Sequence, residues 1–369
     1  EYIYMKSLVL AEKPSVARDI ARVLGCHKNI SGAIEGSNYI VTWALGHLVT
    51  LADPEEYDKK FKAWDMSYLP MVPKKWELVV IKQTSKQYHN VKTQLFRKDV
   101  SEIIIATDAG REGELVARWI LDKSGCHKPI RRLWISSVTD KAIKEGFSHL
   151  KDGRAYNDLY HAARSRAEAD WLVGINATRA LTCKYNAQLS CGRVQTPTLA
   201  MIAHREQHIR SFKPEDYYGL RCTTTVTGHT AGTTASLVTW TWQQKKSGSL
   251  RSFNKDLISG LDKKLKNQTL TVTDVHTSSK RTPSPVLYDL TELQRDANKR
   301  FGFSAKETLN IMQSLYEHHK VLTYPRTDSR YIGTDIVPTI KERLKACNIG
   351  PYKKYIPELL KKPVKTSKA

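Results

Sequence analysis

Acidic side chains follow two short apolar runs in the first third of the chain. The runs, Leu8–Ala11 and Glu102–Thr107, have the length and the residue types of buried strands. The carboxylates behind them are Glu12 after the first run, and Asp108, Glu112 and Glu114 after the second. Because ligands collect at the carboxyl ends of parallel strands, these side chains are expected to meet at one edge of a sheet.

Such a group of carboxylates suits a hard divalent cation. The acids would repel one another without a cation among them, and Mg²⁺ takes one or two carboxylates, keeps several waters and bridges to phosphate oxygens. The predicted metal ligands are Glu12, Asp108 and Glu112. Lys13 is either a phosphate contact and proton donor or a solvated surface lysine. The competing interpretation, that these acids only favour helix N-termini through the helix dipole, stays open for Glu114.

A tyrosine and an arginine flank Pro325 near the end of the chain. The phenol of Tyr324, with an ordinary pKa of about 10, is a weak nucleophile until a cation or base favours its deprotonation. Arg326 could contact the same phosphate and stabilise the developing charge. An isolated Tyr-Pro-Arg is better explained by a buried tyrosine in a turn, so the catalytic interpretation depends on the rest of the chain.

The elements that position these residues fall into segments of different pattern. Up to about residue 150, strand, loop and helix alternate, which predicts a mostly parallel sheet covered by helices. A third strand is predicted at Leu133–Ser136, followed by a helix capped by Thr139. From about Arg154 to Leu181, and again from Pro197 to about Arg210, the pattern is helical.

The last part of the chain changes from strands back to helices. Three Thr- and Val-rich runs predict antiparallel strands, at Leu220–Val226, Leu237–Trp242 and Leu270–Val275. Capping-box spacing at Thr291–Gln294 and Ser304–Glu307 then predicts the starts of two helices. Pro325 prevents the second helix from reaching the tyrosine.

Composition limits the possible partners and surroundings. There are 59 Lys and Arg residues against 37 Asp and Glu, a net charge of +22, which favours a polyanionic partner, although a merely basic or ribosome-associated protein fits as well. The six cysteines form no C-x-x-C pair, so a zinc ribbon and a disulfide framework are not expected and a reducing cytoplasm fits best. Apolar runs are too short to span a bilayer, and no secretory signal is visible.

Five strings together resemble the type IA DNA topoisomerases, and within that family topoisomerase III. They are AEKPS at 11–15, TDAGREGE at 107–114, ARSRAEADWLVGINATRA at 163–180, CGRVQTPTLAMIAHRE at 191–206 and LTYPRTDSRY at 322–331. The resemblance implies a multidomain fold of α/β, α and β parts, in which a Toprim domain with a Rossmann-like parallel sheet precedes helical, β-strand and helix-turn-helix-like domains of a toroid. The implied boundaries are 5–151 for Toprim, 152–212 for the helical DNA-groove domain, 213–280 for the β domain and 281–369 for the domain with the tyrosine.

The resemblance also implies a reaction. Tyr324 would attack a phosphodiester of single-stranded DNA without ATP, forming a 5′-phosphotyrosine, and the enzyme would pass a second strand and reseal the first, relaxing negative supercoils or separating catenated DNA. Arg326 would stabilise the transition state, Glu12 and Lys13 would handle protons at the leaving 3′-oxygen, and Mg²⁺ would bind at Asp108 and Glu112. Gly110 stands where the family has a second Asp, which leaves the number of metal ions open. The implied DNA contacts are Arg166, Asp170, Asn176, Arg179, Arg193, Gln195 and Thr196.

Other interpretations remain at this point. Without the family, Arg166 and Asp170 would be a surface ion pair. A Toprim-type nuclease or primase would share the acidic site but would not need Tyr324, and a DNA-binding fragment would bind without turnover. The family continues beyond the tyrosine with a histidine motif that is not found here after Tyr324, so the chain is expected to be the N-terminal part of a longer protein. It is expected to act as a monomer in the bacterial cytoplasm, with the nucleoid, and to use neither a membrane nor a small-molecule substrate.

Overall fold

The computed structural model describes residues 5–226, 236–332 and 336–364. The chain forms two compact units, the first made of Glu1–Arg193 and Ser284–Ala369 and the second of Val194–Pro283. The four domain boundaries implied by the resemblance stay predictions. Within the described residues, no helix is both long enough and apolar enough to cross a bilayer.

A mixed sheet of seven strands is the centre of the first unit. The strands of this unit are β1 (Lys6–Ala11), β2 (Lys28–Ile30), β3 (Ala33–Glu35), β4 (Tyr39–Trp43), β5 (Val49–Leu51), β6 (Leu78–Val80), β7 (Val100–Ala106), β8 (Ile130–Arg132) and β9 (Lys151–Asp152). The sheet has the order β2-β3-β4-β1-β7-β8-β9, and β5 pairs with β6 separately. The four central strands are parallel and the outer ones antiparallel. The predicted mostly parallel sheet is therefore present in the centre, where the acidic strand ends lie.

Helices cover both faces of this sheet. They are α1 (Pro14–Val23), α2 (Pro54–Tyr57), α3 (Ser85–Leu95), α4 (Arg111–Ser124), α5 (Asp140–Ser148) and α6 (Asn157–Tyr185), followed after the second unit by α9 (Leu290–Phe301), α10 (Ala305–Glu317), α11 (Ile340–Ala346) and α12 (Ile356–Lys361). Leu8 and Leu10 of β1 face a core shared with α3, α4 and α6. Val9 faces the opposite core with α1 and α5, and there Tyr316 of α10 is also buried. Burial on both faces explains why β1 is apolar at successive positions rather than alternating.

The second unit is smaller and less buried. It contains α7 (Gln195–Ser211), β10 (Arg221–Val226), β11 (Ser236–Thr241) and α8 (Lys255–Leu265). Strands β10 and β11 pair in antiparallel fashion, as predicted. The predicted third strand at Leu270–Val275 is wrong, because this stretch has no strand pairing and Val275 is 79% exposed. Alternation alone cannot report whether a partner strand is present to satisfy the backbone.

Three further boundaries test the sequence prediction. The third strand predicted in the first part of the chain is Ile130–Arg132, and the predicted Leu133–Ser136 forms the loop behind it. The caps at Thr139 and Ser304 are confirmed, since each hydroxyl accepts a backbone N–H of its helix. The cap predicted at Thr291 is wrong, because the Asp289 carboxylate accepts the Glu292 N–H at 2.7 Å and α9 begins two residues earlier than expected.

Candidate active site at the ends of β1 and β7

Two carboxylates meet where the central strands end. Strands β1 and β7 are paired in parallel register up to Ala11 and Ala106, so the residues that follow leave the same edge. Glu12 Oε2 accepts a hydrogen bond from the Asp108 backbone N–H at 3.1 Å. Burial, and next the charge of Asp108, raise the pKa of Glu12 to about 7. Burial also raises the pKa of Asp108 and outweighs the opposing charge of Lys13.

The tyrosine lies against this carboxylate pair. Its backbone N–H donates to the Ser136 carbonyl at 3.0 Å, in the loop behind β8, and its ring packs edge-to-face on Tyr316 at 5.8 Å between centroids. The Tyr324 phenol lies close enough to the carboxylates of Asp108 and Glu12 for their charges to act on it. Burial, followed by the charges of Asp108 and Glu12, raises the pKa of the phenol above its usual range, while the charge of Arg326 opposes the shift. Burial and the two carboxylates therefore both favour the protonated phenol, and Arg326 favours the phenolate.

Lys13 and Arg326 are cations near this group. Lys13 precedes α1, and its ammonium contacts the carboxylate of Glu317 at the end of α10. Arg326 is exposed two residues beyond Tyr324 and is close enough to favour the phenolate. Buried Pro325 fixes the backbone between them. All four predicted catalytic residues, Glu12, Lys13, Tyr324 and Arg326, are thus brought to one place.

The predicted third metal ligand points elsewhere. Glu112 lies in the exposed first turn of α4, with its carboxylate 3.6 Å from Arg166 Nη1 and 4.0 Å from His47 Nε2. Among the described residues, no group of three or more His, Cys, Asp or Glu side chains is arranged to hold a metal ion. The pair Glu12 and Asp108, partly buried and mutually repelling, still has the charge and oxygen chemistry that a divalent cation would satisfy.

A buried arginine contacts the loop 107–110 between β7 and α4, which we call the acidic loop. This arginine was not predicted from the sequence. Arg132, at the end of β8, has no exposed surface, and its guanidinium lies 4.9 Å from the Trp134 ring. It donates to the Glu114 carboxylate at 3.0 Å and to the Asp108 carbonyl at 2.7 Å, and also to the carbonyls of Ile105, Thr107 and Leu133. Glu114, fully buried, accepts from Arg118 as well. Glu114 therefore has a structural role that neither interpretation anticipated, as the buried partner of Arg132 and Arg118.

The predicted DNA contacts separate into three groups. Asp170 accepts from Arg193 Nε at 2.6 Å and lies 3.9 Å from Arg166, which links this ion-pair network to Glu112. Asn176 and Arg179 are occupied with the backbone of residues 61–71, and Arg179 is only 7% exposed. Gln195 and Thr196 are the exposed first residues of α7 in the second unit. The sequence predicted the positions on α6 but not that two of the side chains face the protein.

The raised pKa of Glu12 predicts an unusual stability effect in Glu12→Gln. Because the folded pKa of about 7 exceeds the unfolded value of 4.5, the contribution of this carboxyl to stability is complete below pH 4.5 and is lost as the pH rises through about 7. At pH 8 the ionised group costs on the order of 3 kcal/mol. With divalent metal chelated, we expect Glu12→Gln to be more stable than wild type at pH 8, by up to that amount, and similar at pH 4.5.

Urea unfolding at the two pH values measures this effect. Glu112→Gln is the matched control, since Glu112 is exposed and should change stability little at either pH. A Glu12→Gln variant less stable than wild type at pH 8 would contradict the assignment of Glu12 as an unneutralised buried carboxylate.

The fold and this site define a protein with a Toprim domain joined to a tyrosine-bearing helical segment. A Toprim family model matches residues 7–138, and a DNA topoisomerase family model matches residues 154–369. The chain belongs to the DNA topoisomerase family, and the resemblance to type IA topoisomerases is confirmed. These matches also confirm the predicted fold class.

Curated relatives extend the comparison. The chain is 62% identical over 364 residues to DNA topoisomerase 3 of Bacillus cereus, covering 99% of this chain and 48% of that protein. It is 60% identical to DNA topoisomerase 3 of Bacillus subtilis over 363 residues, again covering 48% of the relative. The chain therefore spans about half the length of these relatives. Full-length topoisomerase I from Thermotoga maritima shares the fold, with a TM-score of 0.63 and 22% identity over 94% of this chain and 52% of that one.

Proposed function

We propose that this chain carries the strand-cleaving centre of an ATP-independent type IA topoisomerase with Tyr324 as the nucleophile. The observation that carries the proposal is the position of the Tyr324 phenol against the carboxylates of Asp108 and Glu12, at the ends of two parallel strands. A nucleophile, a base and a proton donor are then within one small group, which is what covalent catalysis at a phosphate requires.

Each residue has a role in the proposed step. Asp108 accepts the phenol proton, and the Tyr324 oxygen forms a bond to phosphorus. The P–O3′ bond breaks, and the leaving 3′-oxygen takes a proton from Lys13 or from protonated Glu12, whose pKa of about 7 suits proton transfer in both directions. Arg326 stabilises the charge on the phosphate. Religation reverses these transfers, so no nucleotide hydrolysis is required.

A divalent cation fits the carboxylate pair, and we propose Mg²⁺. Glu12 and Asp108 would hold it, and when bound it would neutralise them and stabilise charged phosphate oxygens. The predicted contribution of Glu112 requires its carboxylate to leave Arg166. Glu12 and Asp108 supply carboxylates, but Gly110 supplies none where the family has a second Asp. We therefore expect one metal ion.

The proposed substrate is single-stranded DNA within negatively supercoiled or catenated molecules. The net charge of +22 supports a backbone-dominated interaction with weak sequence preference. Strand passage and decatenation are proposed for a protein of the length of the curated relatives, about half of which this chain spans. We expect a monomer that works in the bacterial cytoplasm, on the nucleoid.

End-labelled oligonucleotides test the chemistry directly. The purified chain is incubated with single-stranded DNA and Mg²⁺, denatured, and separated by electrophoresis. A 5′-phosphotyrosine predicts that the 3′-labelled strand becomes attached to the protein, while the 5′-labelled strand gives a shorter free product. Tyr324→Phe should remove both signals, and Tyr331→Phe, an exposed tyrosine on the same segment, should keep them. Free products that persist in Tyr324→Phe would instead identify a Toprim-type nuclease.

A further inference from the structure

An exposed tryptophan stands on a segment that is fixed to α6. Trp64 is 52% exposed, and the guanidinium of Arg179 lies 5.1 Å from the centre of its ring. Met66 and Val72 in the same segment are 49% and 65% exposed. We name residues 58–75 the Trp64 segment. Because the cation lies at one side of the indole and half of the residue is open, the ring is available to a flat partner.

The Trp64 segment is held in place by side chains of α6. Asn176 accepts from the Met71 N–H at 2.6 Å and donates to the Met71 carbonyl at 2.9 Å. Arg179 donates to the carbonyls of Phe61 and Ala63. These contacts order the loop before any ligand binds, which lowers the entropic cost of binding. Asn176 and Arg179 of α6 therefore have a structural role in positioning this segment.

Charge around the tryptophan favours a polyanion. Residues 58–75 contain five lysines and two acids, Asp58 and Asp65, each of which accepts a backbone N–H of its local turn. All five lysines are exposed, and two of them form exposed ion pairs, Lys60 with Asp58 and Lys75 with Glu77. The remaining three are Lys59, Lys62 and Lys74. An exposed aromatic ring among lysines is the arrangement that binds single-stranded nucleic acid, by base stacking and phosphate contacts.

We infer that the Trp64 segment is a second binding site for the single strand, in which the Trp64 indole stacks on one unpaired base. This inference rests on the proposed function, since it extends the path of the strand beyond the tyrosine. Thirteen residues of α6 separate Arg166, next to Glu112, from Arg179, which corresponds to roughly 20 Å of helix. At about 3.4 Å per stacked nucleotide, the base on Trp64 lies on the order of six nucleotides from the one at Arg166.

Binding of a fluorescent single-stranded oligonucleotide in EDTA tests the site without cleavage. We expect Trp64→Ala to weaken binding roughly tenfold or more, and Trp64→Phe to restore most of the affinity, because a stacking platform is retained. The matched control is Phe96→Ala, since Phe96 is 51% exposed just after α3, outside the segment. The Phe96→Ala variant should bind the oligonucleotide with the affinity of wild type.

Two further measurements locate the contact. In a series of oligonucleotides that each lack one base, one abasic position should lower the affinity of wild type to that of Trp64→Ala for the intact oligonucleotide. The same abasic position should not lower the affinity of Trp64→Ala any further. The triple variant Lys59→Ala/Lys62→Ala/Lys74→Ala should reduce the slope of log affinity against log salt by about 2 if each lysine meets one phosphate.

The outcomes separate this inference from the proposed function. Equal affinities of Trp64→Ala, Phe96→Ala and wild type would overturn the stacking site, and would indicate that the surface serves another partner, such as a protein. Loss of affinity in Trp64→Ala with no covalent adduct from wild type in Mg²⁺ would overturn the proposed function but support the site.

Discussion

Gly113→Ala is expected to abolish adduct formation, whereas Gly110→Ala three residues earlier leaves it within a few-fold of wild type. A Cβ on Gly113 would lie 2.2 Å from the Asp108 carbonyl oxygen and 2.9 Å from its nitrogen. A Cβ on Gly110 meets no atom within 4 Å, and its extended backbone suits any residue. Only the first substitution therefore pushes Asp108 away from Glu12 and Tyr324.

The expected sign is opposite to helix propensity. Inside a helix, alanine in place of glycine normally stabilises by about 1 kcal/mol, but overpacking against backbone costs about 3 kcal/mol. A displacement of the Asp108 carboxylate by about 1 Å is enough for a hundredfold loss of rate. Single-turnover adduct formation and urea unfolding measure the two effects. A Gly113→Ala variant that is more stable than wild type and equally active would show that the acidic loop is not packed as described.

Arg132→Ala is the second substitution with a large expected effect. It removes a fully buried cation, and with it the donor to Glu114 Oε2 and one donor to each of the Thr107 and Asp108 carbonyls, while Arg118 still donates to Glu114 Oε1. Removing one partner of a buried ion pair costs about 3–5 kcal/mol. The neighbouring Arg131 is exposed and donates to the Leu150 carbonyl at 3.2 Å, so Arg131→Ala should change stability by less than about 1 kcal/mol.

Lysine at this position separates charge from geometry. Arg132→Lys keeps the charge beside Glu114, but a single ammonium cannot replace the planar guanidinium that reaches the Asp108 carbonyl as well. We expect a stability between those of wild type and Arg132→Ala, with adduct formation reduced more than stability. Equal unfolding midpoints for Arg132→Ala and Arg131→Ala would show that Arg132 does not stabilise the acidic loop.

The sequence predicts best where one pattern has one structural cause. The apolar run Leu8–Ala11 is part of a strand buried on both faces, and the hydroxyls of Thr139 and Ser304 cap helices in the described structure as their spacing requires. It fails where the outcome depends on residues far along the chain. Strand β8 contains Arg131 and Arg132, and its second arginine is buried only because Glu114 and several carbonyls surround it, so no apolar pattern identifies it.

For the candidate site too, residue chemistry could be predicted from the sequence but side-chain orientation could not. The chemistry of Glu12, Asp108 and Tyr324 is visible in the sequence through residue type and through the family strings. The orientation of side chains is not: Glu112 and Asn176 have suitable chemistry, but the structure directs one to Arg166 and the other to the backbone of Met71. Such choices depend on tertiary contacts that local spacing does not encode.

Mass spectrometry of the trapped adduct tests the central claim most directly. After cleavage of single-stranded DNA in Mg²⁺, denaturation and nuclease digestion, trypsin should release the peptide 321–326, which contains Tyr324 as its only tyrosine. We expect this peptide to carry the mass of a 5′-phosphorylated nucleotide on Tyr324. A nucleotide on any other residue, or cleaved DNA with an unmodified 321–326 peptide and no adduct, would contradict it.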